Sequence, residues 1–120
     1  MSENYKDLLV WKKAMVLVTD IYRQSLEFPK EETYGLTSQL RRSAVSIPSN
    51  IAEGKGGRSA PEFHMFLGHA RGSLLELETQ IQIAENLGYL NSAKGQALLK
   101  KTSELGKMLN GLMEAISRRK

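Results

Sequence analysis

The chain has 120 residues, 41% of them hydrophobic and 25% charged, with no cysteine and a formal net charge of +4. That length fits one domain, able to bury about two-thirds of the surface its unfolded chain exposes. The missing cysteines exclude disulfides, thiolate metal sites, iron–sulfur clusters and a cysteine nucleophile, and with neither a signal peptide nor a stretch near the ~18 apolar residues of a membrane span, a cytoplasmic protein is expected.

The first predicted helix covers residues 6–27. Leu8, Trp11, Met15, Val18 and Tyr22 recur every three or four residues as a core stripe. A second stripe, Val10, Ala14, Leu17 and Ile21, lies about 110° away around the helix. A helix apolar over about half its circumference either sits deep in a bundle or turns its second stripe toward another subunit, and the subunit contact is preferred. Phe28-Pro29 stops this helix, and residues 30–35 form a turn or short helical piece. The second helix, residues 36–53, carries Leu36, Leu40, Ala44, Ile47 and Ile51 on one face. Pro48 lies inside this run and either kinks the helix or divides it in two.

Gly54-Lys55-Gly56-Gly57-Arg58 reads as a loop. Ser59-Ala60-Pro61-Glu62 then reads as a capping box, with Ser59 accepting from the Glu62 amide and Glu62 reaching back to the Ser59 amide. Pro61 falls in the first turn, where its missing donor costs least. The third helix, residues 60–87, has the seam Phe63, Leu67, Ala70, Leu74, Leu77, Ile81 and Ala84. Gly88 terminates it, and Asn91 or Ser92 caps the fourth helix, residues 93–117, whose seam is Leu98, Thr102, Leu105, Leu109, Leu112 and Ile116. Short connections between long helices require antiparallel neighbours, so the expected architecture is all-α, a single up-and-down four-helix bundle with a proline-kinked second helix.

Charge is unevenly spread. Residues 59–91 hold one cation against four acids, and residues 92–120 hold seven cations against two. Either neighbouring helices complement each other or the basic segment faces nucleic acid. The candidate cations are Arg41, Arg42, Lys55, Arg58, Lys100, Lys101, Lys107, Arg118 and Arg119. Consecutive arginines point about 100° apart, so one of Arg41 and Arg42 is expected to pair with Glu76 or Glu78 and the other to face solvent or RNA. The glycine-rich loop before a helix N-terminus is either a plain flexible loop or an anion contact, and it lacks the P-loop pattern. His64 and His69, five apart, do not share a helix face, and no Glu-x-x-His pair occurs. No nucleophile has an evident base, so no enzyme activity, metal or cofactor is expected. Gly68 and Gly72 form G-x-x-x-G in a helix containing His69 and Arg71, where close approach of another helix is the natural compensation for two glycines.

Gln39-Leu40-Arg41-Arg42-Ser43-Ala44-Val45-Ser46-Ile47-Pro48-Ser49-Asn50-Ile51-Ala52-Glu53-Gly54 resembles the signature of a bacterial family, the four-helix bundle proteins also called 23S rRNA-intervening sequence proteins. Leu8-Leu9-Val10-Trp11-Lys12-Lys13-Ala14, Phe28-Pro29, Glu32-Thr33-Tyr34-Gly35-Leu36 and Gly72-Ser73-Leu74-Leu75-Glu76-Leu77-Glu78-Thr79-Gln80 resemble its other segments. The resemblance implies a bundle assembled as a ring-like homopentamer. It also implies a link to ribosomal RNA, through reading frames inside intervening sequences of the large-subunit rRNA gene. A related pentameric bundle serves as a nucleic-acid-binding accessory in diversity-generating retroelements. The family brings no catalytic residues, and Asn50, Glu53 and Gly54 match motif positions. Two hypotheses follow. An RNA-binding oligomer would leave its cations on a continuous positive surface, whereas a protein-interaction scaffold would spend them on Glu76, Glu78 and Glu85.

Overall fold

A helix buries the face on which its apolar residues recur, and four such faces here close around one core. The computed structural model describes residues 4–118. A 3₁₀ turn, Tyr5–Asp7, precedes α1 (Leu9–Gln24); a second, Lys30–Glu32, leads into α2 (Leu36–Lys55), followed by α3 (Ala60–Asn86) and α4 (Ser92–Ser117). Among the described residues there is no strand. Each helix packs on its neighbours around the ring α1–α2–α3–α4, and no diagonal pair approaches closely. The bundle measures 47 × 23 × 20 Å.

The seams of α2 and α3 face inward as their spacing predicts, with only the end residues Leu36 and Phe63 half-buried. In α4 the seam shifts by one residue at its end, where Met113 is buried and Leu112 half-buried. The two stripes of α1 exchange roles. Val10, Ala14, Leu17 and Ile21 are the buried ones, whereas Met15 and Tyr22 are about 40% exposed. The rest of the first stripe, Leu8, Trp11 and Val18, is half-buried against the edge of the core. Leu8 also stands outside α1 as its N-cap, and the helix ends at Gln24, earlier than residue 27.

Helix α2 passes through Pro48 as one segment and continues to Lys55, so Gly54 and Lys55 belong to its last turn rather than to a loop. Gly54 is buried there, and a Cβ at that position would lie 2.7 Å from Phe66 Cβ and 2.9 Å from Phe63 Cδ1. Glycine is what lets the start of α3 lie against the end of α2. Ser59 caps α3 by accepting from the Glu62 amide at 3.2 Å. Glu62, however, accepts from the Arg58 amide at 2.7 Å, one residue before the cap. The α3–α4 turn is a Schellman motif, with Gly88 at φ +80° and the amides of Gly88 and Tyr89 donating to Glu85 and Ala84 at 3.0 and 2.9 Å. Asn91 then caps α4 by accepting from Lys94 at 2.8 Å.

Candidate nucleic-acid interface

The candidate cations separate into two groups at opposite ends of α2 and a third along α4. At the first end, α1 terminates in Ser25, whose hydroxyl accepts from Arg41 Nε at 2.9 Å. Arg41 also donates to the Tyr22 carbonyl at 3.4 Å and stacks 4.7 Å above the Tyr22 ring. Its charge thus sits at the negative end of the α1 dipole. Neither Arg41 nor Arg42 forms an ion pair with Glu76 or Glu78 among the described residues; α1, not α3, holds Arg41. Arg42 is exposed beside it. Both arginines line a cleft of about 640 Å³ with Lys30, Tyr34 and Thr37, three residues that the sequence reading left in a turn or a helix start.

The cleft wall is anchored by Glu32. Its carboxylate accepts from the Leu36 amide at 3.0 Å and from the Tyr89 hydroxyl at 2.9 Å, tying the start of α2 to the α3–α4 turn. The Leu36 hydrogen bond, helped by that from Tyr89, holds the Glu32 carboxyl below its ordinary range. The same bond pushes the Tyr89 phenol upward.

Lys55 and Arg58 lie about 20 Å further along, at the other end of α2. Lys55 Nζ sits 5.9 Å from the Phe63 ring centroid, and Arg58 is exposed. Arg118 closes α4 at this same end, where Ile116 and Ser117 meet Ala60 and Pro61; Arg119 lies outside the described residues. Along α4, Lys100, Lys107 and Arg118 are exposed and separated by seven and eleven residues, which places them on roughly one line of the helix. Lys101 turns away from that line and pairs with Asp20 of α1. The other ion pair among the described residues, Lys13–Glu104 at 3.9 Å, also joins α1 to α4. Two acids of α3 take other partners, Glu78 accepting from Thr102 at 2.8 Å and Glu85 from Gln96 at 3.1 Å, while Glu76 lines a second, shallow cleft with Arg42 without pairing to it.

Asn50 does not reach the glycine-rich segment. It donates to the Ser46 carbonyl and hydroxyl at 2.8 and 2.9 Å, and Ser46 shares a hydrogen bond with Ser73 of α3 at 2.8 Å. Glu53 is exposed. A Cβ on Gly68 would make an ordinary contact with Met113 Cε of α4 at 3.8 Å, and one on Gly72 would meet nothing within 4 Å. No helix of this chain crowds that pair. Among the described residues no group of three or more His, Asp or Glu side chains converges on a metal site, and no helix is long and apolar enough to cross a membrane.

Along the first stripe of α1, Trp11, Met15 and Val18 form with Val45 and Pro48 of α2 an open apolar groove of about 350 Å³. Tyr5 edges onto Trp11 with ring centroids 5.3 Å apart and forms part of its rim.

Comparison with known proteins agrees with this architecture. A crystal structure of a protein of unknown function from the S23 ribosomal protein family, from Bacteroides thetaiotaomicron VPI-5482, superposes with a TM-score of 0.79 at 20% sequence identity. The match covers 88% of this chain and 98% of that one, and shows a common fold. No curated protein matches the chain significantly. The sequence profile described as 23S rRNA-intervening sequence protein matches residues 6–111, and the chain belongs to that family.

Proposed function

We propose that this protein is a non-catalytic, self-associating helical bundle of the cytoplasm that binds RNA or another nucleic acid. The observation that carries the reading is where the charges go. Glu78 and Glu85 of α3 accept from a hydroxyl and an amide, and the two ion pairs of the described residues involve only Lys13 and Lys101. Arg42, Lys55, Arg58, Lys100, Lys107 and Arg118 are left without a carboxylate partner among those residues. Cations placed in this way neutralise phosphates, as the reference to rRNA in the family name also suggests. Lys101 and Arg41 serve the bundle first, and contribute less to such a surface.

The apolar groove on α1 and α2 supports self-association, since exposed apolar surface of this kind is ordinarily covered. Five subunits, the number implied by the family resemblance, would repeat each cationic group around a ring.

The test is fluorescence anisotropy of the purified protein with structured rRNA fragments across a salt series, with light scattering on the same sample. Binding whose log-affinity falls linearly with log salt is expected, with a slope that counts the phosphate contacts. A mass five times that of the 13.4 kDa chain is expected from scattering. A well-formed oligomer that binds no RNA even at low salt refutes the nucleic-acid reading and leaves a protein-interaction scaffold.

A further inference from the structure

Helix α3 is apolar on two sides. Its inner seam builds the core, and a second row at the same three- and four-residue spacing runs along its outer side: Met65, Gly68, Gly72, Leu75, Thr79 and Ile83. Met65 is 48% exposed, Leu75 57% and Ile83 40%. The outer side of a bundle helix ordinarily carries its charges, yet this row has none over a length of about 27 Å. Gly68 and Gly72 keep its middle flat, so that a neighbouring surface can come close. A continuous exposed strip of this kind is ordinarily covered.

The α1–α2 groove of Trp11, Met15, Val18, Val45 and Pro48 is a second exposed apolar surface. On α1 the apolar positions from Trp11 to Tyr22 run for about 17 Å, and Tyr5 lengthens the rim. The charges around the two surfaces are opposite. Helix α3 carries four acids and one cation, whereas α1 and α2 each carry three cations and one acid. Lys12, one turn before Met15, and Arg23, next to Tyr22, are exposed and pair with no acid among the described residues. Glu76, one turn before Thr79, is exposed and pairs with no cation among them.

We propose that the outer row of α3 in one copy packs into the α1–α2 groove of the next, in a head-to-tail contact. The inference rests on the self-association reading above and names the two faces that meet. Charge complementarity selects this pairing, because two α3 rows face to face would set acidic helix against acidic helix, and two grooves basic against basic. Helices α1 and α3 stand at opposite corners of the bundle and do not touch, so one copy can use both faces at once. A contact between two different faces leaves one of each free at the ends, and the assembly therefore closes into a ring or grows as a filament.

The experiment uses the full chain, which has no cysteine, as a background for placed thiols. Val45→Cys is combined in turn with Met65→Cys, Leu75→Cys and Ile83→Cys, so that one pair falls within reach whichever way the helices run. All four residues are exposed, so the variants fold. Each double variant and each single variant is treated with a short bis-maleimide, and light scattering is measured on the same samples. At least one double variant is expected to give a ladder of multiples of 13.4 kDa on a denaturing gel, while each single variant stays at the mass of one chain. Leu75→Glu should lower the scattering mass at least about twofold with helical circular dichroism unchanged. A cross-linked dimer from Leu75→Cys alone or from Val45→Cys alone would show that like faces meet, and overturns the proposal. An oligomer that yields no ladder from any pair, or whose mass is unchanged by Leu75→Glu, overturns these two faces while self-association stands. A single-chain mass for the parent at every concentration overturns both.

Discussion

Gly54→Ala probes the packing that holds α2 against α3. The added methyl would lie 2.7 Å from Phe66 Cβ, 2.9 Å from Phe63 Cδ1 and 3.3 Å from the Phe63 carbonyl. A side-chain tip could swing aside, but Phe66 Cβ is fixed to the α3 backbone, so the helices themselves must part. Forcing one carbon into a packed contact costs about 1–3 kcal/mol. Alanine recovers at most about 1 kcal/mol of helix propensity, and less so near a helix end. The net loss should be about 1–2 kcal/mol, a fall of roughly 3–10 °C in Tm for a chain of this size. Urea unfolding followed by circular dichroism, at one fixed protein concentration, measures it, with the slope m unchanged. A Gly54→Ala protein as stable as the parent would show that the α2–α3 approach is looser than described. Gly72→Ala is the internal control: with nothing within 4 Å of the new methyl, it should stabilise by up to about 1 kcal/mol.

Thr37→Val removes the unpartnered hydroxyl, and the variant should gain about 1 kcal/mol in the same urea assay; a loss would mean that the hydroxyl has a partner. The Glu32 carboxyl is held below its ordinary value of 4.5, so its contribution to stability is present above that pH and lost as pH falls through the folded value. Glu32→Gln should therefore flatten the acid side of the Tm–pH profile. The Tyr89 phenol is raised above 10.0, so its contribution is present below that pH and lost as pH rises through the folded value. Tyr89→Phe should flatten the alkaline side. Met15→Lys places a charge in the α1 groove and should lower the mass seen by light scattering while leaving helical circular dichroism unchanged.

The four helices and most of their inward residues were legible because the 3.6-residue period exposes any one-sided helix. Gly88 and Asn91 were legible as a stop and a cap because their backbone chemistry is local. What periodicity could not rank was the two stripes of α1. Both are apolar at helical spacing, and only the neighbours decide which one is covered. Val10, Ala14, Leu17 and Ile21 include no aromatic side chain and let α1 settle against α2 and α4, whereas Trp11 and Tyr22 are accommodated at the edge. The extent of α2 was missed for a similar reason. Gly54 reads as a breaker in isolation, and its need appears only when Phe63 and Phe66 arrive from α3. Arg41 and Arg42 were found in the sequence, but not the cleft they line, since Lys30, Tyr34 and Thr37 lie on three different local structures. One signal was available: Gly35 before α2 stands where a Ser, Thr, Asp or Asn would normally cap a helix.

The positions of the cations and of the apolar groove constrain one another. A single copy separates Arg42 from Lys55 by about 20 Å along α2, so one short duplex contact cannot use both groups fully. The groove of Trp11, Met15 and Val18 lies on the outer side of α1, which leaves the α4 line of Lys100, Lys107 and Arg118 on a different helix from the strip that self-association would cover. Assembly through the groove would thus multiply the α4 lines without consuming them. A ligand that bridges copies would then bind the oligomer more tightly than any one subunit, through effective concentration alone. On this argument Met15→Lys should weaken RNA binding as well as assembly, although it removes no cation and adds one. If Met15→Lys yields a folded subunit of lower mass that binds the rRNA fragments as tightly as the parent, the cations of one copy suffice and the link between assembly and binding fails.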